Sequence, residues 1–343
     1  MREKKIKREK VAVLGTTGLI GQMFVHLLAR HPWFKLELLT ASENRSGGLY
    51  KDEVKWSLPF PIPENVQKTK LTKLKIENII SRGIKIAFSA LPAEVADPFE
   101  GEMRKKGIFV FSNSGPYRQE KNVPILIPEV NPGSLELIKE QGYPGKGFIV
   151  TNANCSTAGL AAALSPLRKF DIREIYVSTY QSISGAGLSG LPAMDIVGNS
   201  IPHINGEEEK MIRELKKIFR EDPAIYPHCV RVPVLFGHLE TVWIKFGKNV
   251  HTDDIKNAWD LFNFPDTKLP SQPVSPVRYF EGPRFPQQNQ SFFGSPSGME
   301  IFTGRLREHE GLIGFSLLVN NLVKGGAGGS IHNAELFRSK YGK

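Results

Sequence analysis

Over the first 150 residues, short apolar runs closed by glycine or polar residues alternate with segments of helical period. Residues 11–15 (Val-Ala-Val-Leu-Gly) read as a buried strand, and residues 19–30 as a helix stopped by His31-Pro32. Further strands are predicted at 36–39, 84–90, 108–111 and 148–150. Strands separated by helices predict a parallel, doubly wound sheet. Beyond Cys155 the texture changes. Long alternating runs at 172–183, 230–246 and 299–319 are separated by amphipathic helices near 207–219 and 253–262, which predicts a mostly antiparallel sheet with helices on one face. The proline-rich stretch 265–296 reads as an extended excursion with Gln287, Gln288, Asn289 and Gln290 at its tip. It either wraps a neighbouring subunit or forms a mobile surface loop. A last helix, 331–341, is expected to pack back on the first domain.

Composition agrees with two domains. A chain of 343 residues with 40% apolar content exceeds the usual size of one hydrophobic core. Two cysteines make no disulfide framework, which favours a reducing, cytoplasmic setting. Residues 1–10 are charged and run into the first strand without an apolar signal segment. The longest apolar runs, such as 312–319, fall short of the roughly 20 residues of a membrane span, so the expectation is a soluble protein. The formal net charge of +10 invites a nucleic-acid reading, yet the cations are interspersed with acids, as where Glu207, Glu208 and Glu209 run into Lys210. No basic stripe interleaved with aromatics emerges, so the charge reads as a field for small anionic substrates, with neither nucleic acid nor membrane as partner.

Candidate chemistry sits at two places. Gly15-Thr16-Thr17-Gly18-Leu19-Ile20-Gly21 joins the first strand to the first helix, where glycines let backbone approach a pyrophosphate and the helix N-terminus faces it. The second strand ends in Thr40-Ala41-Ser42-Glu43-Asn44-Arg45-Ser46. Ser42, Arg45 and Ser46 suit a ribose 2′-phosphate, favouring NADP over NAD, with Glu43 the residue that argues the other way. Ser89, closing another strand at the same edge, is expected to line the cofactor cleft. The second place is Asn152-Ala153-Asn154-Cys155-Ser156-Thr157, a strand-to-helix turn. Unpaired N–H groups and the helix dipole there favour a Cys155 thiolate, although a small buried thiol also fits. A nucleophile needs a proton shuttle and a substrate clamp. Three segments offer them: 180–187 with Gln181, Arg231 to His238 seven positions apart, and a helix start with Glu207 and Lys210 at i and i+3.

With these motifs in order, the chain resembles the aspartate-β-semialdehyde dehydrogenases of the archaeal and fungal branch over nearly its whole length. The resemblance rests on 15–21, Ser112-Asn113-Ser114-Gly115-Pro116-Tyr117-Arg118, the Pro128-Glu129-Val130-Asn131-Pro132 run, 152–157, 181–187, 206–210, 231–238 and Asn320-Asn321-Leu322-Val323-Lys324-Gly325. Residues 114–117 depart from the family's usual small-residue and histidine run. The resemblance implies an α/β chain with a Rossmann-like NADP-binding domain, 1–154 plus about 322–343, and an α+β catalytic and dimerisation domain, 155–321.

The family chemistry places Cys155 as nucleophile toward β-aspartyl phosphate, His238 as acid and base, and Gln181 as the orienting amide. By the same resemblance Arg231 clamps the α-carboxylate and Glu207 meets the amino group, while Lys210, Arg118 and Asn154 hold the departing phosphate. Gly15, Thr16, Thr17, Gly18, Leu19, Ile20, Ser42, Arg45, Ser46 and Ser89 belong to the NADP site, and Ser184, Gly185, Gly187 and Asn321 border the nicotinamide. No metal is implied, and the assembly is a homodimer or homotetramer. The nearest rival is a malonyl-CoA or succinyl-CoA reductase of the same superfamily, against which Glu207 and Lys210 argue, since a thioester substrate needs no amino-group acid. A catalytically silent paralogue would have lost Cys155, Gln181, Arg231 or His238, and all four are present.

Overall fold

A computed structural model describes residues 7–264 and 268–342. The charged residues 1–6 and the start of the proline-rich stretch, 265–267, lie outside the described residues. The first sheet comprises β1 (Glu9–Leu14), β2 (Phe34–Ala41), β3 (Thr72–Lys73), β4 (Ile86–Ser89), β5 (Phe109–Ser112) and β6 (Phe148–Thr151), in the order β3-β2-β1-β4-β5-β6. Every neighbouring pair is parallel. Chain order reverses beside β1, so the C-terminal ends of β1 and β4 form the crevice where such sheets bind ligands. Backbone bonds lace those ends together: Ala90 N–H to the Leu14 carbonyl at 3.0 Å, Asn113 N–H to Ser89 at 3.0 Å, and Asn152 N–H to Ser112 at 2.8 Å.

The second sheet comprises β7 (Ile172–Gln181), β8 (Ala224–Arg231), β9 (His238–Phe246), β10 (Val277–Phe280), β11 (Ile301–His309) and β12 (Leu312–Val319), ordered β10-β11-β12-β9-β7-β8. One expectation changes here. The runs 230–246 and 299–319 each fold as two strands, the second broken at Glu310-Gly311, both at positive φ. The sheet is mostly antiparallel, as expected, in three of its five pairings, and is mixed because β7 runs parallel to β8 and β10 parallel to β11. A hairpin cannot return a strand in its own direction; β7 reaches β8 through the Glu207–Phe219 helix, and that crossover makes the pair parallel. Part of the proline-rich excursion is itself structure, since it supplies edge strand β10. Its glutamine tip docks on its own chain, with Gln288 Nε2 donating to the carbonyls of Tyr180 and Gly237 at 2.9 and 2.8 Å.

The helix that Cys155 opens, Cys155–Leu164, is buried along its length from Ser156 onward. Alanines keep it thin, and Gly159 allows the closest approach, since a Cβ there would lie 2.7 Å from Val319 Cβ on β12. The final helix, Gly328–Tyr341, shares the first sheet's core through Ile331, Ala334 and Phe337. Its Phe337 packs among Phe109, Phe111, Tyr143 and Phe148, giving that core an aromatic floor. Among the described residues no helix is long and apolar enough to cross a membrane.

Gly15 and Gly21 set the first turn. Gly15 holds φ of +77°, and a Cβ on Gly21 would lie 2.1 Å from the Gly15 carbonyl oxygen. That overlap is with backbone, which no rotamer change relieves. Gly21→Ala is expected to cost about 3 kcal/mol. A lowered urea midpoint at unchanged m-value, with loss of dinucleotide binding, is the readout.

Candidate active site

Asn154 builds the nucleophile's position. It is the N-cap of the Cys155 helix, and its Oδ1 accepts from the N–H groups of Ser156 and Thr157 at 3.0 and 3.4 Å. From the other side the chain passes under Cys155 at Gly325, where a Cβ would lie 2.7 Å from Cys155 Cα. His238, first residue of β9, reaches the thiol with Nε2 at 3.1 Å from Sγ. Its other nitrogen, Nδ1, lies 3.1 Å from the Ser182 N–H and 3.2 Å from Ser182 Oγ. A bare Nδ1 is satisfied by that N–H and a protonated Nδ1 by that hydroxyl, so one residue serves both tautomers of the ring.

The sheet register aligns the rest. Gln181 at the end of β7 stands opposite Arg231 at the end of β8, and Arg231 Nη1 donates to the Ser182 carbonyl at 2.7 Å. Gly185 passes so near that a Cβ would lie 2.5 Å from Arg231 Nη1 and 3.4 Å from His238 Nε2. A second row lies beneath on the same face: Cys229, Thr179 and Glu240 on adjacent strands, with Gln181 Nε2 donating to Thr179 Oγ1 at 3.3 Å. Glu240 is fully buried, and burial pushes its carboxyl well above the usual range. Glu207 accepts from Asn154 Nδ2, and Lys210 Nζ stands 3.8 Å from the Glu207 carboxylate.

Burial dominates the titration of the central pair. Desolvation pushes the Cys155 thiol up to about 12, with Glu207 adding to the rise and Arg231 and Arg118 opposing it. The His238 imidazole is driven down to about 3 by burial and by the Arg231 charge. Burial thus opposes the resting thiolate that the helix N-terminus favours. Partial charges of the helix end are a smaller effect than removing a full charge from water. Both directions favour a thiol beside a neutral imidazole over the charged pair.

A cavity of about 540 Å³ joins the two candidate places. Gly18, Leu19 and Ile20 line it from the first turn, Arg118, Asn154 and Cys155 from the nucleophile's side, and Ser184, Gly185, Gly187 and Asn321 from the second domain. Gly18 caps the first helix without a side-chain hydrogen bond, leaving its initial N–H groups free of side-chain acceptors. A Cβ on Gly18 would meet nothing nearer than the Gly15 oxygen at 3.8 Å, so the turn is open on that side. Backbone donors, a helix N-terminus and open space suit a dinucleotide pyrophosphate.

Residues 10–138 match the family described as semialdehyde dehydrogenase, NAD binding domain, and residues 164–324 match semialdehyde dehydrogenase, dimerisation domain. The aspartate-semialdehyde dehydrogenase of Archaeoglobus fulgidus is 38% identical over 343 residues, covering 96% of this chain and 98% of that relative. The chain belongs to the aspartate-semialdehyde dehydrogenase family. The crystal structure of the Candida albicans family member with NADP matches with a TM-score of 0.87 at 32% identity, covering 97% of this chain and 99% of that one. A malonyl-CoA reductase (NADP) from Metallosphaera sedula is 34% identical over 354 residues, covering 96% and 97%. The dimerisation-domain match makes association between copies part of this family's architecture.

Two residues expected to touch cofactor in this aspartate-semialdehyde dehydrogenase family member face elsewhere. Thr16 is fully buried, and its Oγ1 donates to the Thr40 carbonyl at 2.9 Å while Tyr50 donates to its own carbonyl, so its polar groups are consumed in fixing the turn. Ser89 is also fully buried and turns toward Glu100, whose carboxyl burial raises to about 7. Ala90, Leu91 and Pro92 line the cavity in its place. Thr17 lends its carbonyl to Gln22. Ser42, Arg45 and Ser46 stand on a short turn after β2, where the exposed Glu43 carboxylate pairs with Lys73. Sequence reasoning missed Ser182, Glu214, Gly325 and Asn113. Asn113, Ser182 and Gly325 lie within motifs that carry the family resemblance but have no role assigned there, and Glu214 stands seven residues after Glu207 on the same helix face.

Proposed function

We propose that this protein reduces β-aspartyl phosphate to aspartate β-semialdehyde with NADPH, by way of a thioester on Cys155, in the biosynthesis of lysine, methionine, threonine and isoleucine. The observation that carries the proposal is Cys155 Sγ at 3.1 Å from His238 Nε2, on a cavity shared with the glycine turn. Cys155 attacks the acyl carbon, its proton passes to His238, the C–O bond to phosphate breaks, and phosphate leaves toward Arg118, Lys210 and Asn154. NADPH, when bound, supplies the hydride that reduces the thioester carbonyl carbon. Carbon–sulfur cleavage then returns the thiolate, which recovers its proton from His238 as the aldehyde departs. Gln181 orients the acyl group.

The glycine turn with Leu19 and Ile20 would hold the pyrophosphate, Ser42, Arg45 and Ser46 the 2′-phosphate, and Ser184, Gly185, Gly187 and Asn321 the nicotinamide edge. Arg231 would clamp the α-carboxylate and Glu207 the ammonium. Residues 1–154 with about 322–343 would form the cofactor domain and 155–321 the catalytic and dimerisation domain, a division supported by the final helix packing in the first core. The working form would be a cytoplasmic homodimer or homotetramer.

The test is a paired assay. Reduction of NADP with aspartate semialdehyde and phosphate supports the proposal; turnover of malonyl-CoA without turnover of the aspartyl substrate replaces it with the reductase reading that the Metallosphaera sedula relative offers. Arg231→Lys is expected to lower kcat/KM for the semialdehyde by on the order of 100-fold, because an ammonium cannot make the two parallel bonds of a guanidinium to carboxylate. A mostly KM effect is the signature; an unchanged KM would remove Arg231 from the clamp.

A further inference from the structure

The Glu207–Phe219 helix carries a polar face that runs past the substrate end. Glu207, Glu214 and Lys217 stand at i, i+7 and i+10, on one side of the helix. Glu214 is 1% exposed and uses both carboxylate oxygens on different segments. Oε1 accepts from Arg118 Nη1 at 3.0 Å, and Oε2 accepts from the Asn154 backbone N–H at 2.7 Å. One turn on, Lys217 Nζ donates to the carbonyls of Arg118, Glu120 and Val123 at 2.5, 2.7 and 2.8 Å. A single helix face therefore holds the Arg118 loop by its guanidinium and by its backbone, and holds the residue preceding Cys155 as well.

The guanidinium is left oriented and unfinished. Nη1 is taken by Glu214 and Nη2 donates to the Asn113 carbonyl at 2.9 Å. Nε is buried with no protein partner among the described residues, although Arg118 lines the cavity beside Cys155. Two anchors fix the plane of the fork and leave the second N–H of Nη1 and of Nη2 for an incoming anion. A nearly buried arginine without a counter-ion would be costly, so Glu214 both permits Arg118 here and aims it.

We infer that Glu214 is the positioning residue of the phosphate subsite, coupling Arg118 to the N-cap of the nucleophile helix, with Lys217 securing the loop that carries Arg118. This rests on the proposed function, in which phosphate leaves or enters beside Cys155. One rigid carboxylate then sets the distance between the anion-binding fork and the attacking sulfur. The coupling is specific to an acid: an amide at this position has one acceptor oxygen for two donors, and turns an N–H toward the other.

The experiment measures steady-state constants in the oxidative direction with aspartate semialdehyde, NADP and inorganic phosphate. Glu214→Gln is expected to raise the KM for phosphate at least ten-fold, while KM for semialdehyde and for NADP stay within two-fold. Lys217→Met is expected to raise the phosphate KM alone and to leave the rate of Cys155 alkylation by iodoacetamide unchanged. If Glu214→Gln does not fold, Lys217→Met carries the test by itself. A phosphate KM within two-fold of wild type, or a parallel rise in all three constants, overturns the inference and leaves Glu214 a stability residue. Wild-type enzyme run alongside separates the two claims. A wild type inactive on semialdehyde and phosphate sinks the proposed function, whereas an active wild type with unmoved variants sinks only the role of this helix face.

Discussion

Replacing Cys155 by serine is expected to lower turnover by on the order of 10⁴-fold while leaving dinucleotide binding intact. The two side chains are nearly isosteric, so the cap at Asn154 and the contact with Gly325 survive, and the loss is chemical. An alkoxide is far harder to form than a thiolate, and an ester resists hydride attack more than a thioester does. The thiol itself carries a second readout. Burial holds it up to about 12, so the thiolate fraction at neutral pH is small and grows roughly tenfold per pH unit. Iodoacetamide inactivation of the free enzyme should therefore climb through pH 9 without a plateau. A plateau near neutrality would mean that the resting state is a thiolate, and that the helix N-terminus outweighs desolvation.

His238→Asn is the second large effect, with kcat expected to fall about 10²- to 10⁴-fold. Asparagine keeps a polar atom near the Nδ1 position beside Ser182, but it stops short of Cys155 and has no lone-pair nitrogen to take the sulfur's proton. The substitution also has a signature in stability. The imidazole is depressed from 6.5 to about 3 by burial and by Arg231. Between those two values the unfolded chain binds a proton that the folded chain refuses, so folding stability is lost as pH falls from about 6.5 toward 3. Asparagine removes that linkage, and the acid limb of Tm against pH should be shallower in the variant. An identical acid limb in both proteins would show that the ring is accessible and ordinary in the fold.

The difference between what could and could not be read from the chain is one of direction and distance. The glycine turn, the Asn154 cap and the Cys155 helix start are local: their residue types and spacing dictate a strand-turn-helix, and the structure has each of them. Cys155 and His238 were separately legible as chemistry, and their meeting follows from β9 lying between β7 and β12 in the mixed sheet. Thr16 and Ser89 went astray because a motif gives position along the chain and not the face on which a side chain emerges. Ser89 ends β4, where one residue points to the crevice and its neighbour into the core, and Thr16 lies in the turn beyond β1 with its side chain fully buried. Ser182 and Glu214 act through hydrogen bonds to partners 56, 60 and 96 positions away. No local pattern encodes such a pairing. The parallel pairs of the second sheet escaped for a related reason, since alternation reports a half-buried strand but says nothing about its neighbour's direction.

The passage of Gly325 beneath Cys155 has a consequence for the life of the chain before it is complete. The sulfur emerges from the ribosome first, its histidine partner 83 residues later, and the glycine that seats it later still. During synthesis the first sheet can gather its strands, but its aromatic floor still lacks Phe337 and the turn at Cys155 lacks its lower support. A growing chain therefore carries a thiol whose catalytic setting does not yet exist. Reactivity is assembled only once residue 325 has been made and has passed beneath the sulfur, so a chain broken off before that point cannot acquire it.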